Sequence, residues 1–428
     1  MRESSFIESS KKASFNGDGS EIDTARRKMY LIFPGKCENR ECKMQMRSDF
    51  YPVFNIATYL GVSFPAQCDD SEKENKKDSG ANFRKYYDIL ITAITFVALI
   101  ITVTFAHNFT TTKVMTLTYS IKYIAAFCIR CYMVLDNHKI PKVIKTLSQL
   151  YGDITLSVYK SLKAKIYVQC VVLTVLNVIL LTLTGMRVMH EDSIQNYSSV
   201  EILGCNITAD GSINIMHILV ASYMVNYCFS VFTVAVSILA CCNVHLILRR
   251  LIKCYGDSLV QNIKNNSTKE SFTEEFTTFR RIIYAMNEAD DAMSFIVFFT
   301  YVTCIGCFFN TLSTFLSRDG ILGHPYLTAE MAVTFIFSVL IFITMTVSAA
   351  EVSTTGERLK QRVTCISNIV IQRNLPPDAL LNFMILTDNI KSADISMTGW
   401  GMFTITRGFV LSTVGVLITY GVLLFQFG

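Results

Sequence analysis

The chain has 428 residues, 51% of them hydrophobic and only 17% charged, with 30 Phe and a mean hydropathy of +0.37. That balance excludes an ordinary water-soluble domain and defines an all-α, polytopic membrane protein. The formal charge is +5, and no nucleic-acid partner is expected.

Residues 1–85 read as a cytoplasmic N-terminal tail. Its start is polar and Ser-rich with no apolar core segment, so no secretory leader is expected, and 1–47 should be largely disordered. Residues 49–68 are apolar but short, with Phe50, Phe54, Ile56, Tyr59, Leu60 and Phe64 bracketed by Pro52 and Pro65. They suit a helix lying at the inner interface, a re-entrant or packed segment being the alternative. A charged linker follows over 69–80.

Apolar stretches long enough to cross a hydrocarbon core of ~30 Å lie near 86–106, 113–135, 166–189, 214–242, 292–316, 328–350 and 402–427, which makes seven. The second is interrupted by Lys122 and Arg130, and Arg407 lies near the start of the seventh. Cytoplasmic loops retain Lys and Arg. The connections after the second, fourth and sixth spans hold eighteen of them, against Lys113, Arg187 and Arg318 on the other side. The N-terminus is therefore expected inside and the C-terminus outside. Residues 86–350 would form the first six helices as a ligand-binding bundle, 351–401 a cytoplasmic anchor segment, and 402–428 the seventh helix.

Below the membrane, three stretches repeat apolar residues every three or four positions. They are Ile140, Ile144, Leu147, Tyr151, Ile154 and Val158; Phe272, Phe276, Phe279, Ile283 and Met286; and Leu359, Val363, Ile366 and Val370. Each predicts an amphipathic helical extension, packing either within its own subunit or in a hub where subunits meet. Pro376, Pro377 and Asp378 open a further helix.

Of the 14 Cys only Cys205 lies clearly outside, so no disulfide framework is expected. Cys128 with Cys131, and Cys304 with Cys307, show two-residue spacing inside apolar helices and read as packing residues. No HExxH, P-loop, GxSxG or GxGxxG pattern occurs, so neither an enzyme nor a metal or cofactor is expected. Sequons at Asn196 and Asn206 fall on the longest outer loop, where glycans could be added; those at Asn265 and Asn266 read as chance.

At the C-terminus Ser412, Gly415, Thr419, Leu423 and Gln426 share one helical stripe, small and polar except for Leu423. A water-filled path and close helix packing both suit that pattern. The run Thr419-Tyr420, five mostly apolar residues, then Gln426-Phe427 resembles the C-terminal signature of insect gustatory receptors. Met397-Thr398-Gly399 and 403–411 resemble the sugar-receptor branch. That branch usually carries an acidic residue after the Tyr, where this chain has Gly421, so the bitter and carbon dioxide branches stay open.

The resemblance implies a seven-helix, tastant-gated, non-selective cation channel in the plasma membrane of a sensory neuron. It implies a homotetramer, or a heteromer with related subunits, in which the seventh helices line the pore. Its partners would be the lipid bilayer, a tastant such as a sugar, and monovalent cations, with divalent ones an open extension. In such a pore, alongside Thr419 and Phe427, a ring of Leu423 could close by dewetting, and a ring of Gln426 amides could replace part of an ion's hydration shell. A ligand would enter from outside among the first six helices. Tyr223, Asn226, Asn310, Tyr326 and Glu330 lie at a suitable depth, and each has a structural role as its alternative. Two other classes stay open, a metabotropic receptor and a secondary transporter.

Overall fold

The structure, a computed structural model, describes residues 50, 52–62, 79–109, 113–154, 160–190, 199–202, 205–208, 221–222, 224–265, 269–316, 325–371 and 376–427. The tail expected over 1–47 and nearly all of the 69–80 linker lie outside them.

Helix α1 covers 52–59 and is followed by α2 (Ser79–Phe109), α3 (Lys113–Leu135), α4 (Lys139–Ile154) and α5 (Lys160–His190). A hairpin of β1 (Ser199–Ile202) and β2 (Cys205–Thr208) pairs antiparallel, Ser199 opposite Thr208. A π-helical turn, Tyr227–Val231, leads into α6 (Phe232–Asn265), and then come α7 (Lys269–Leu316), α8 (Pro325–Ile371) and α9 (Pro377–Ser392). Strands β3 (Thr398–Gly399) and β4 (Phe403–Thr404) pair antiparallel before α10 (Arg407–Phe427).

Among the described residues five helices are long and apolar enough to cross a membrane, over Phe83–Thr104, Lys165–Leu183, Met224–Ile263, Glu270–Ser313 and Thr328–Asn368. The two expected spans outside that set are the second and the seventh. In α3 two cations interrupt the apolar run, and both are turned inward: Arg130 is fully buried and Lys122 lines a cavity. In α10 the apolar stretch that qualifies is Arg407–Leu423, shorter than the others.

Residues 402–406, expected within the seventh span, are not helical. Trp400 and Gly401 take positive φ angles of 52° and 66°, which turns the chain back on itself. Gly399 passes so close to Phe403 that a Cβ would sit 2.4 Å from its ring. The Asp290 carboxylate on α7 accepts hydrogen bonds from the Thr398 N–H (2.8 Å) and the Thr398 hydroxyl (2.7 Å), and Trp400 N–H donates to Ser294 O at 3.1 Å. The hairpin 397–405 is thus fastened to α7 before the last helix begins.

Helices α7 and α8 run for 48 and 47 residues, about 70 Å each at 1.5 Å per residue. That is more than twice the hydrocarbon thickness, so both continue well beyond it. The three amphipathic stripes fall on these continuations and on α4. Ile140, Ile144, Leu147, Phe272, Phe279, Met286, Leu359, Val363 and Val370 are all buried in the chain's own core. Phe276, Ile283 and Ile366 pack against it, and the side chains of Tyr151, Ile154 and Val158 lie outside the described residues. The stripes are spent within the subunit, which leaves none of their described buried residues for a hub.

Pro377 and Asp378 occupy the first turn of α9 and Lys391 its last, matching the helix dipole at both ends. Its Phe383 meets Phe272 of α7 at 5.4 Å. Helix α1 is packed rather than free, with Phe50, Val53 and Ala57 buried in the same core; 63–68 lie outside the described residues.

Candidate ligand cavity and pore helix

The helix bundle encloses a cavity with two adjoining lobes. The smaller, of about 10 Å³, is lined by Lys122 of α3, by Gly306, Cys307, Asn310 and Thr311 of α7, and by Glu330, Met331 and Thr334 of α8. A space of that size holds about one water. The larger, of about 50 Å³, shares Lys122, Cys307 and Thr334 and reaches Tyr227, Val231, Ile238, Thr300, Phe337 and Ile341. Helices α3, α5, α6, α7 and α8 and the π turn therefore meet at one place, Leu180 being the contribution of α5.

The smaller lobe is polar, with an amine, a carboxylate and an amide on its walls. The larger is mostly apolar, with hydroxyls from Thr300, Thr303, Thr334 and Ser338. Asn310 Nδ2 lies 3.7 Å from Met331 Sδ across the α7–α8 seam.

The sequence-derived candidates divide accordingly. Asn310 and Glu330 come together on the smaller lobe, both under a tenth exposed. Asn226 is fully buried but does not line either lobe, whereas its neighbour Tyr227 lines the larger one. Tyr223 lies outside the described residues, as does the side chain of Tyr326 in the first turn of α8. Asn196 and the side chain of Asn206 on β2 also lie outside them. Lys122 was missed as a cavity residue. Its signal was present, since a charge within an apolar span normally faces a bundle interior.

Helix α10 docks along α7 and α8. At its base Phe409 stacks on Phe403 (5.0 Å, 11° between planes) and meets Tyr301 of α7 edge-on at 5.0 Å and Phe342 of α8 at 5.8 Å. The Tyr301 hydroxyl is itself held 2.9 Å from Thr346 Oγ1. Near the top, Tyr420 packs edge-on to Phe309 at 4.5 Å, and its hydroxyl lies 3.1 Å from Ser313 Oγ. A Cβ on Gly421 would stand 3.3 Å from Leu312, so this position lets α10 come close to α7.

That docking leaves the stripe Ser412, Gly415, Thr419, Leu423 and Gln426 exposed on the single chain. Leu411, Val416 and Ile418 are exposed too, so only part of α10 is covered by its own subunit. The Thr419 hydroxyl donates to Gly415 O at 3.0 Å, satisfying itself on its own helix. The side chain of Phe427 lies outside the described residues.

These features define a class, a polytopic helical membrane protein with an internal cavity on the helix that also carries its C-terminal helix. A family model described as 7tm Chemosensory receptor matches residues 50–428, and the chain belongs to that family of receptors, which are not enzymes. A search of curated proteins returns no match.

Among solved structures, the insect olfactory receptor OR5 from Machilis hrabei in complex with eugenol is similar at a TM-score of 0.67 and 15% identity. That match covers 90% of this chain and all of the other. A second structure of that receptor gives the same TM-score and coverage at 16% identity. At these identities the likeness shows the fold.

Proposed function

We propose that the chain is a gustatory receptor acting as a tastant-gated, non-selective cation channel, with a pore formed by α10 from four subunits. One observation carries this reading. On α7, Asn310 faces the cavity while Phe309 and Ser313, within the same turn, grip Tyr420 of α10. A ligand that parts α7 from α8 therefore moves the surface on which the pore helix rests.

Lys122, Asn310 and Glu330 suit a polyhydroxylated ligand such as a sugar, since they offer donors and acceptors on the walls of one lobe, two of the three residues being buried. The cavity of about 10 and 50 Å³ is smaller than a sugar ring, so binding requires the walls to separate. In this reading the closed cavity is the resting form. A second reading, a bitter compound of more apolar character, draws support from the larger lobe, where Leu180, Val231, Val234, Ile238, Phe337 and Ile341 dominate.

The bundle would lie with its N-terminus inside and its C-terminus outside, and the long lower ends of α7 and α8 with α4 and α9 would form the cytoplasmic anchor. Exposed Leu381, Met384 and Ile385 on α9 offer that anchor an apolar surface toward neighbouring subunits.

Whole-cell recording from cells expressing this chain alone, against sugars and bitter compounds, tests the proposal. Ligand-evoked cation currents that Glu330→Gln shifts to higher concentration support it. Surface-expressed protein that binds a tastant yet signals only through added G proteins contradicts it.

A further inference from the structure

Arg130 lies near the C-terminal end of α3, fully buried, and its hydrogen bonds go to two separate parts of the chain. Nη1 donates to Leu60 O at 2.7 Å and Nη2 to Gly61 O at 3.2 Å, both just past the end of α1. Nη1 also donates to Phe229 O at 2.8 Å and to Thr233 Oγ1 at 3.4 Å, and the guanidinium lies 5.8 Å from the Phe229 ring centroid. The buried Asp88 on α2 adds a charge of opposite sign.

Phe229 sits in the middle of the π-helical turn Tyr227–Val231. A π turn wedges one extra residue into an α-helical ladder and survives where other groups satisfy the disturbed backbone. Here the Phe229 carbonyl accepts from Arg130 and from the Thr233 hydroxyl, the latter at 2.6 Å. Tyr227 and Val231, the two ends of the turn, line the larger lobe of the cavity. Return of the turn to α geometry would rotate the helix above it by about 100° and shift it by about 1.5 Å. Tyr227 would then leave the cavity wall.

The other side of Arg130 is equally constrained. Gly61 has φ +71°, and a Cβ there would stand 2.9 Å from Arg130 Nη2 and 3.0 Å from Ile91 Cβ. The end of α1 and the guanidinium therefore cannot move independently.

We propose that Arg130 is the positioning residue of the cavity's α6 wall, holding the π turn in place from α3 and linking that wall to the end of the α1 segment. A displacement of α1, from the tail that precedes it, then changes the shape of the cavity without any contact to a ligand. The consequence for taste rests on the function proposed above. The link itself does not, and its test uses no ligand.

Hydrogen–deuterium exchange on the full-length protein in detergent provides that test. Arg130→Gln should speed exchange of amides in both 52–62 and 224–238 by roughly tenfold or more, since each loses a charged hydrogen-bond donor. Residues 345–365 of α8 should keep their wild-type rates. Gly61→Ala is the decisive companion, because its Cβ presses on Arg130 Nη2 and Ile91 from the end of α1 and meets nothing in the π turn, yet it should still raise exchange over 224–238. Thr233→Val, which removes the second donor to Phe229 O, should raise it over 224–238 alone. Should Arg130→Gln fail to fold, the other two variants decide. Wild-type exchange over 224–238 in Gly61→Ala, or an increase spread evenly through α8, overturns the proposal. Absence of any tastant response would overturn the proposed function and leave this link standing.

Discussion

Ser313 on α7 and Tyr420 on α10 share a hydrogen bond of 3.1 Å between their hydroxyls, which joins the C-terminal signature to the helix that lines the cavity. A neutral hydrogen bond of this kind contributes about 1 kcal/mol, a roughly fivefold effect on an equilibrium. Tyr420→Phe should therefore change agonist potency by roughly fivefold while keeping surface expression. Tyr420→Ala also loses the ring contact with Phe309 and should weaken gating further. Equal dose–response curves for wild type and both variants would show that this contact does not carry gating.

Glu330→Gln keeps the shape of the smaller lobe and removes its carboxylate charge. The agonist dose–response curve should move to higher concentration, with reversal potentials unchanged, because the substitution acts at the cavity and not in the pore. Lys122→Met should act in the same place. Unchanged potency in both variants would remove the smaller lobe from the binding site.

The Asp290–Thr398 pair anchors the hairpin from which α10 starts. Asp290→Ala leaves the half-buried Thr398 N–H and hydroxyl without their acceptor, at about 1 kcal/mol or somewhat more. Thr398→Val removes only the hydroxyl half. The thermal midpoint of the detergent-solubilised protein should fall more for Asp290→Ala than for Thr398→Val. The reverse order would mean that Thr398 acts chiefly through the hydrogen bond its Oγ1 accepts from the Gly401 N–H, 3.2 Å away.

Orientation has its own test in intact cells. The excess of Lys and Arg in the segments that follow the second, fourth and sixth spans predicts a C-terminal tag outside and an N-terminal tag inside. Labelling of the C-terminal tag without permeabilisation is the expected outcome. A requirement for permeabilisation would invert the topology.

What the sequence made legible followed from periodicity and charge. The stripe Phe272, Phe279 and Met286 announced a buried helical face, and Pro377 with Asp378 announced the start of α9, because those signals are local. The hairpin at 397–405 was not legible. Its turn depends on Trp400 at φ 52° seated against Phe295, Phe298 and Phe299 of α7, more than a hundred residues earlier. The π turn at Tyr227–Val231 was equally hidden, since its hydrogen-bond partner Arg130 belongs to another helix and reads in sequence only as a break in an apolar span. In the cavity, Asn310 and Glu330 were found because polar groups in apolar helices stand out. Lys122 carried the same signal and was read as an interruption.

If the exposed stripe of α10 lines a pore, as proposed, substitutions at Leu423 and Gln426 should alter conduction in two separable ways. Basal current without agonist and cation reversal potentials should be recorded from Leu423→Ala and Gln426→Ala at matched surface expression. Leu423→Ala shortens a ring of apolar side chains that would exclude water from the closed neck, so basal current should rise. Gln426→Ala alters the polar lining beside it and should shift relative permeability among monovalent cations while keeping the channel agonist-dependent. Well-expressed variants with wild-type basal current and wild-type reversal potentials would contradict the account, because the stripe from Ser412 to Gln426 would then face something other than the ion path.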